Sequence, residues 1–173
     1  MSRWVSLEDA LLPAVKDLFD AERQQLNVLP RIAAVVSRPD LSEVIHRHLD
    51  ETRNHVARLE QVLAILGEHP GPSRCAGIAG IIDEAADVLE QSAVGPVRDA
   101  VVIGWMQRAE HYEISAYGTV AAWADVLEYD GVASLLRETL AEEKDADETL
   151  TILAETDVNS FATAAQEEPN AAA

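Results

Sequence analysis

Residues 41–66 of this chain read LSEVIHRHLDETRNHVARLEQVLAIL, and this stretch decides the predicted fold. Its apolar residues recur at steps of three and four, the spacing of one face of an α-helix. The same face also carries polar side chains near its middle. The complete stripe consists of Val44, His48, Glu51, His55, Leu59, Val62 and Leu66. Polar groups therefore interrupt a face that should pack against other helices.

Three further stretches repeat this pattern, each with carboxylates in the middle of an apolar helical stripe. The stripes are Val15, Leu18, Glu22, Leu26 and Leu29; Ile103, Met106, Glu110, Glu113, Tyr117 and Val120; and Leu136, Leu140, Glu143, Asp147, Leu150 and Ala154. Because apolar residues flank the polar positions on both sides in every stripe, we expect the polar groups to meet at one level of a helical bundle.

The breakers between these stripes divide the chain into five predicted helices, at about residues 7–36, 41–66, 75–91, 97–127 and 132–156. Two connections are short, which predicts antiparallel neighbours, whereas residues 68–96 are long enough to cross the bundle. The predicted fold is all-α, a four-helix bundle with one long crossover that carries an additional short helix, which is the ferritin-like arrangement. We expect the bundle domain to span 1–158 and residues 159–173, NSFATAAQEEPNAAA, to form a flexible acidic and Ala-rich tail.

A weak internal repeat relates the first and third long helices. FDAERQQL at residues 19–26 parallels QRAEHYEI at residues 107–114, and both carry an Ala-Glu pair at the same place. Two similar helix hairpins can pack about a pseudo-twofold axis. Such an axis would bring equivalent side chains to one centre.

Charge and composition restrict the partners of the chain. Its 31 acidic and 13 basic side chains give a net charge of −18, which repels nucleic acids and anionic membrane surfaces and favours cations. The single cysteine, Cys75, cannot form an internal disulfide. No apolar run approaches the roughly 18 residues of a membrane span, and the N-terminus lacks the apolar block of a signal peptide. These features predict a cytoplasmic protein.

The interrupted stripes predict a metal centre. A buried carboxylate costs several kcal/mol unless a positive group meets it, and no Lys or Arg shares these stripes. We predict two divalent ions bridged by carboxylates. Oxygen-rich ligands with one imidazole suit iron or manganese better than zinc, and iron is the ion that we expect first. We hypothesise that Glu51 and either Glu143 or Glu113 bridge the ions, while His55 tunes one of them. The predicted ligands are Glu22, Glu51, His55, Glu110, Glu113, Glu143 and Asp147.

Several alternatives stay open at this stage. A single glutamate on an apolar stripe is commonly a surface residue whose long side chain reaches solvent, and clustered carboxylates can also share protons. His48 is either a hydrogen-bond partner of a ligand or, as we favour, a half-exposed bundle histidine, and His111 should lie outside. Glu142 competes with Glu143, which we prefer because its stripe is more apolar.

The residues also carry a resemblance to a known family. Four runs, LFDAERQQLNVLPRI (18–32), HLDETRNHVARLEQVLAILGEHP (48–70), RAEHYEISAYGTVAAWA (108–124) and LLRETLAEEKDADETLTILAE (135–155), resemble the YciE/YciF family of ferritin-like stress proteins. The similarity covers about residues 7–155. It implies a ferritin-like bundle with a fifth short helix, a rubrerythrin-like dinuclear metal centre, a bacterial cytoplasmic location and a homodimer.

The chain departs from the wider ferritin-like pattern of one Glu on each of two helices and Glu-x-x-His on each of the others. Glu51 and His55 are separated by one residue more, Asp147 takes the place of a histidine, and Glu113 adds a carboxylate. Two function classes follow. One is an oxidoreductase that reacts with oxygen or peroxide. The other is a non-catalytic stress protein whose metal stabilises the bundle. An iron-storage cage is a third class, for which the sequence offers no basis.

Overall fold

The computed structural model describes residues 3–164, and every regular element within that range is helical. A π-helical turn, Ala154–Val158, joins the last two helices. The prediction of an all-α fold is confirmed. The helices are α1 (Leu7–Ala33), α2 (Pro39–Ile65), α3 (Ala76–Gln91), α4 (Pro96–Val126), α5 (Asp130–Leu153) and α6 (Asn159–Ala164).

Local polar contacts define the first helix and its turn into the second. Ser6 and Asp9 form a capping box, in which each side chain accepts a hydrogen bond from the backbone N–H of the other. Helix α1 ends at Ala33, short of the predicted residue 36, and Ser37 in the following turn donates through its N–H and its hydroxyl to buried Asp99 of α4, at 2.8 and 2.5 Å. This contact ties the α1–α2 turn to the start of α4.

Two apolar clusters, one at each end of the bundle, show how the four long helices run. The first cluster joins the start of α1 and α5 to the end of α2 and α4 and includes Leu11, Leu63, Ala124 and Val132. The second joins the opposite ends of the same helices and includes Ile32, Leu41, Val102 and Leu150. Helices α2 and α4 therefore run in one direction, and α1 and α5 run in the other.

This arrangement requires a long crossover. Because α2 and α4 are parallel, the chain must travel the length of the bundle between Ile65 and Pro96, and α3 occupies that connection while packing against α4 and α1. The predicted four-helix bundle with a crossover helix is confirmed. The opposite directions of α1 and α4 also agree with a twofold axis across the bundle, as the internal repeat predicts.

The C-terminal segment differs from the prediction of a tail that begins at residue 159. Residues Asn159–Ala164 form α6, which contacts α4, and Val158 just before it is fully buried in the second apolar cluster. The Arg38 guanidinium carbon lies 5.3 Å from the centroid of the Phe161 ring. The alanines favour helix, and Val158 anchors the segment, so the bundle continues past its expected end. Residues 165–173, the rest of the predicted tail, lie outside the described residues.

A layer of buried polar side chains separates the two apolar clusters. We call this the polar layer and define it by six residues, each at most 2% exposed: Glu22, His48, His55, Glu110, Glu113 and Glu143. Within residues 3–164, no helix combines the length and the apolar character that crossing a bilayer would require.

Candidate metal centre

Each of the four long helices contributes to the polar layer. Helix α1 supplies Glu22, α2 supplies both histidines, α4 supplies Glu110 and Glu113, and α5 supplies Glu143. Among the described residues, none of the four carboxylates forms an ion pair with Lys or Arg. The layer thus concentrates negative charge in the interior with only imidazoles beside it.

One group of potential metal ligands surrounds His55. Its Nδ1 atom lies 3.0 Å from Glu143 Oε1 and 3.3 Å from Glu22 Oε1. One ligand atom from each of these three residues lies within 4.8 Å of the others. The group offers one imidazole nitrogen and two carboxylates to a single ion.

A second group forms around His48 on the preceding turns of α2. His48 Nε2 lies 3.3 Å from Glu110 Oε1, and His48, Glu110 and Glu143 again bring their ligand atoms within 4.8 Å of one another. Glu143 belongs to both groups. The two groups of potential ligands therefore share one carboxylate residue.

The hydrogen bonding of these residues tests whether metal ions fit them. Within residues 3–164, the buried side-chain nitrogen and oxygen atoms that lack a hydrogen-bond partner all belong to the polar layer. They are Glu22 Oε2, His48 Nδ1 and Nε2, His55 Nδ1, Glu110 Oε1 and Oε2, Glu113 Oε1, and Glu143 Oε1 and Oε2. A buried polar atom without a partner costs about 1–3 kcal/mol, and more when it is charged. Because these unpaired atoms are carboxylate oxygens and imidazole nitrogens converging on one level, they suit divalent metal ions.

Charge crowding shifts the pKa values of the layer. Burial, together with the nearby Glu143 carboxylate, raises the pKa of Glu110 well above its usual range, and burial with the neighbouring Glu22 does the same for Glu113. Burial opposes the charged form of His55, but its contacts with Glu143 and Glu22 prevail and raise its pKa to about 11. The pKa of Glu143 falls despite burial, because His55 and His48 stabilise its anion. Without metal, the layer therefore retains protons.

We expect the metal-free chain to lose stability as pH rises above about 5. Because folding raises the pKa values of Glu110 and Glu113, their contribution to stability is fully present below pH 4.5, which is their ordinary pKa. That contribution is lost as the pH rises toward their pKa values in the folded chain. The contribution of His55 is likewise lost between 6.5 and about 11. Each proton held only by the folded state gives a slope of about 1.4 kcal/mol per pH unit. Urea unfolding of chelator-treated protein between pH 5 and 8 measures this slope.

The metal-loaded chain serves as the control for this pH series. Metal ligands must be deprotonated, so bound metal should reverse the trend and make stability rise with pH over the same interval. A metal-free chain whose free energy of unfolding increases from pH 5 to pH 8 would contradict the charge crowding inferred for the layer.

Other side chains hold the polar layer from outside. The Tyr117 hydroxyl, fully buried, donates to Glu22 Oε1 at 2.6 Å, and the Gln25 amide donates to Glu113 Oε2. Gln25 follows Glu22 by three residues, as Glu113 follows Glu110, so the hydrogen bond joins equivalent positions of the internal repeat. A neutral amide in place of a fifth carboxylate limits the charge of the layer.

The structure brings five of the seven predicted ligands into the polar layer: Glu22, His55, Glu110, Glu113 and Glu143. Glu113 lies in the layer but outside both ligand groups. Glu143, and not Glu142, is the buried member of its pair, since Glu142 is 34% exposed and contacts Arg58.

The two remaining predicted ligands, Glu51 and Asp147, lie at the rim. Glu51 is 31% exposed, and its Oε2 atom is 3.6 Å from the Nδ1 atom of His48. Asp147 is 21% exposed and contacts Gln107 and the exposed His111 at 3.3 and 3.2 Å. Neither belongs to a ligand group. Of the residues hypothesised to bridge two ions, Glu51, Glu143 and Glu113, only Glu143 belongs to both groups.

Helix geometry explains these rim positions. At about 100° per residue, Glu51 projects about 60° away from His48 and about 40° away from His55 around α2. Its carboxylate therefore passes outside the histidines. Asp147 lies about 6 Å further along α5 than Glu143, which is one helical turn beyond the layer.

The prediction that His48 is half-exposed is wrong, because the structure buries it to 2%. The sequence feature that indicates burial of His48 is its separation of seven residues from His55. Seven residues make about two helical turns, so the two imidazoles project within about 20° of each other. The ferritin-like Glu-x-x-His pattern places a glutamate three residues before the histidine, and in α2 the residue three before His55 is Thr52. On α5 the same pattern would place a histidine three residues after Glu143, where this chain has Ala146. His48 therefore supplies from α2 an imidazole that α5 lacks.

Comparisons with known proteins agree with this architecture. A family model described as "Domain of unknown function (DUF892)" matches residues 6–163. Protein YciF of Escherichia coli strain K12 is 39% identical over 155 residues, which cover 89% of this chain and 93% of YciF. The crystal structure of the E. coli stress protein YciF matches with a TM-score of 0.86 and 38% identity over 90% of this chain and 99% of that chain. The structure of YcfI from Rhodopseudomonas palustris gives a TM-score of 0.84 and 38% identity over 87% and 97%.

Proposed function

The chain belongs to the DUF892 family, and from this premise and the geometry of the polar layer we propose that it binds two divalent metal ions. Glu22, His55 and Glu143 would hold one ion, and His48, Glu110 and Glu143 the other. One observation carries the proposal. Among the described residues, the buried side-chain nitrogen and oxygen atoms without a hydrogen-bond partner all lie in this layer.

Charge balance supports a pair of ions. The layer contains four fully buried carboxylates, those of Glu22, Glu110, Glu113 and Glu143, and two imidazoles. When all four carboxylates are ionised and both imidazoles are neutral, two divalent ions match the charge. A single ion would leave about two negative charges in the interior, which is costly at low dielectric.

The ligand types favour iron or manganese. Carboxylates and imidazoles together suit these ions, and ferritin-like bundles build carboxylate-rich dinuclear centres at the same place in the fold. Zinc more often takes nitrogen and sulfur ligands. We therefore rank iron first, manganese second and zinc third.

The finer proposal is redox chemistry with oxygen or peroxide, which iron or manganese ions would supply when bound. The six residues of the layer are at most 2% exposed, so only small reactants could reach it. Tyr117 would hold the Glu22 carboxylate in position, and the two apolar clusters would exclude bulk water from the layer.

Elemental analysis of protein purified without chelator tests the metal proposal. We expect about two ions per chain, mainly iron or manganese. Chelator-treated protein reloaded anaerobically with ferrous or manganous ions should return to the same ratio. A chain that retains no metal after reloading and gel filtration would refute the proposed function.

A separate measurement distinguishes catalysis from a structural role. Ferrous-loaded protein is mixed with peroxide in a stopped-flow instrument, and free ferrous ion in the same buffer is the control. We expect an absorbance change faster than that of the control. A rate equal to the control would favour the alternative, in which metal only stabilises the bundle.

We also propose a stress-related role and a homodimeric assembly. The stress role is supported by the likeness to the E. coli protein, which is described as a stress protein. The homodimer and a cytoplasmic location are supported by the resemblance of the chain to the YciE/YciF family. Multi-angle light scattering measures the assembly directly.

A further inference from the structure

We propose that the two metal positions are unequal and fill in order, the position at His55 before the position at His48. This inference rests on the proposed function. It arises from the ring nitrogen of each histidine that points away from the proposed metal ions. That nitrogen contacts an anchored carboxylate in His55 but has no hydrogen-bond partner in His48.

His55 is held from outside by an arginine-anchored carboxylate. Its Nε2 atom lies 2.8 Å from Glu142 Oε2. Arg58 donates to both oxygens of Glu142, at 2.8 Å from Nη1 and 3.2 Å from Nη2, and its side chain is 11% exposed. Further hydrogen bonds from Arg58 to Thr139 and Glu138, at 2.7 and 2.8 Å, fix the guanidinium.

This chain of contacts fixes both the ring and the tautomer of His55. A carboxylate that pairs with a guanidinium can only accept a hydrogen bond, so Nε2 must carry the donated proton. In the neutral ring, the lone pair then lies on Nδ1, the atom that faces Glu22 and Glu143. Such support for a histidine ligand orients it before the metal arrives.

His48 has no comparable support. Its Nδ1 atom lies 3.6 Å from Glu51 Oε2, beyond hydrogen-bond length, and neither ring nitrogen has a hydrogen-bond partner. Glu51 is itself weakly held, because its Oε1 atom lies 3.9 Å from Nε of Arg47 and the Arg47 side chain is more than half exposed. The ring and tautomer of His48 must therefore be set when the ion binds, which reduces affinity.

The difference predicts separate binding phases. Outer partners of metal-binding histidines typically contribute about 10–100-fold to metal affinity. The His55 position should therefore bind about 10–100-fold more tightly than the His48 position. Occupation of the first position also engages the shared Glu143, which lowers the negative charge available to the second ion and separates the phases further.

Titration of the metal-free full-length chain with Co²⁺ tests the order of filling. Calorimetry and the visible absorption of Co²⁺ should resolve two phases of one ion each, separated at least about 10-fold in affinity. Glu142→Ala should weaken the first phase about 10–100-fold and merge it with the second. Glu142→Gln, whose amide oxygen still accepts from Nε2, should recover part of that loss.

A matched control is Glu148→Ala. Glu148 lies on the same helix α5 and carries the same charge, but it is exposed and forms no ion pair within residues 3–164. It should leave both phases unchanged. Nitrogen-15 NMR of the histidines in the Zn²⁺ form gives an independent readout, because the hydrogen bond between His55 Nε2–H and Glu142, seen in the chemical shift of that N–H group, should be lost in Glu142→Ala and kept in Glu148→Ala. Circular dichroism verifies the helix content of each variant.

Three results would overturn the inference. They are two indistinguishable phases in the unmodified chain, a Glu142→Ala effect confined to the weaker phase, and equal effects of Glu142→Ala and Glu148→Ala. A chain that binds no Co²⁺, Fe²⁺ or Mn²⁺ at all would instead refute the proposed function, and the inference with it. The two failures are therefore distinguishable.

Discussion

Glu143→Gln is expected to lower the metal content of the reloaded chain from two ions to none. Glu143 is fully buried and is the one residue that both ligand groups share. The glutamine amide is neutral and offers one acceptor oxygen. The substitution therefore removes the shared anionic ligand from both metal positions. We expect each dissociation constant to rise by more than about 100-fold, exceeding the effect of an outer partner. Equilibrium dialysis followed by elemental analysis measures the bound ions.

The control for this substitution is Glu148→Gln. Glu148 lies on the same helix, carries the same charge and is exposed to solvent. Its replacement should leave two ions per chain. If Glu143→Gln retains one tightly bound ion, the two positions do not share this carboxylate, and if it retains both, the ligand groups are wrongly assigned.

Metal addition is expected to raise the melting temperature of the chelator-treated chain by about 15–30 °C. An ion present at about 1,000 times its dissociation constant adds about 4 kcal/mol to the free energy of unfolding, so two ions add about 8 kcal/mol. For a chain of this size, each kcal/mol of additional free energy of unfolding raises the melting temperature by about 2–4 °C. The physical cause is the removal of repulsion among the buried carboxylates. Thermal unfolding followed by circular dichroism measures the shift.

Calcium provides a control ion for the melting experiment. It has the same charge as ferrous or manganous ion but prefers six to eight oxygen ligands and does not suit imidazole nitrogen. We expect a shift of only a few degrees, from weak binding to the acidic surface. A similar shift with calcium and with manganese would indicate nonspecific charge neutralisation, and a shift below about 3 °C with manganese would exclude metal coupling to folding.

The polar layer opposes the stability of the metal-free chain. The four long helices are aligned by two apolar clusters, and the layer between them adds unpaired charge to the metal-free chain. We infer that the energetic cost of the layer is retained because metal binding offsets it. Strained or poorly satisfied groups of this kind are typical of functional sites.

The fold of this chain could be predicted from its sequence because each helix carries its own periodic signal. The apolar stripes and their breakers gave helix positions near the observed ones, and the carboxylates in mid-stripe gave the level of the polar layer. The Ala-Glu repeat predicted that Glu22 and Glu110 lie at one level of the bundle. These features depend on 3.6-residue periodicity, which is local to each helix.

Only the tertiary structure decided which polar side chains enter the layer. Periodicity places Glu51 and His48 on one stripe, yet the rotation of α2 against α5 and α4 directs the histidine inward and leaves the glutamate at the rim. Likewise, Asp147 shares a stripe with Glu143 but meets Gln107 and His111 one turn away. Differences of about 40–60° around a helix, or of one turn along it, lie within the width of an apolar stripe. The sequence therefore defines the stripe, and the packing of neighbouring helices defines the ligands.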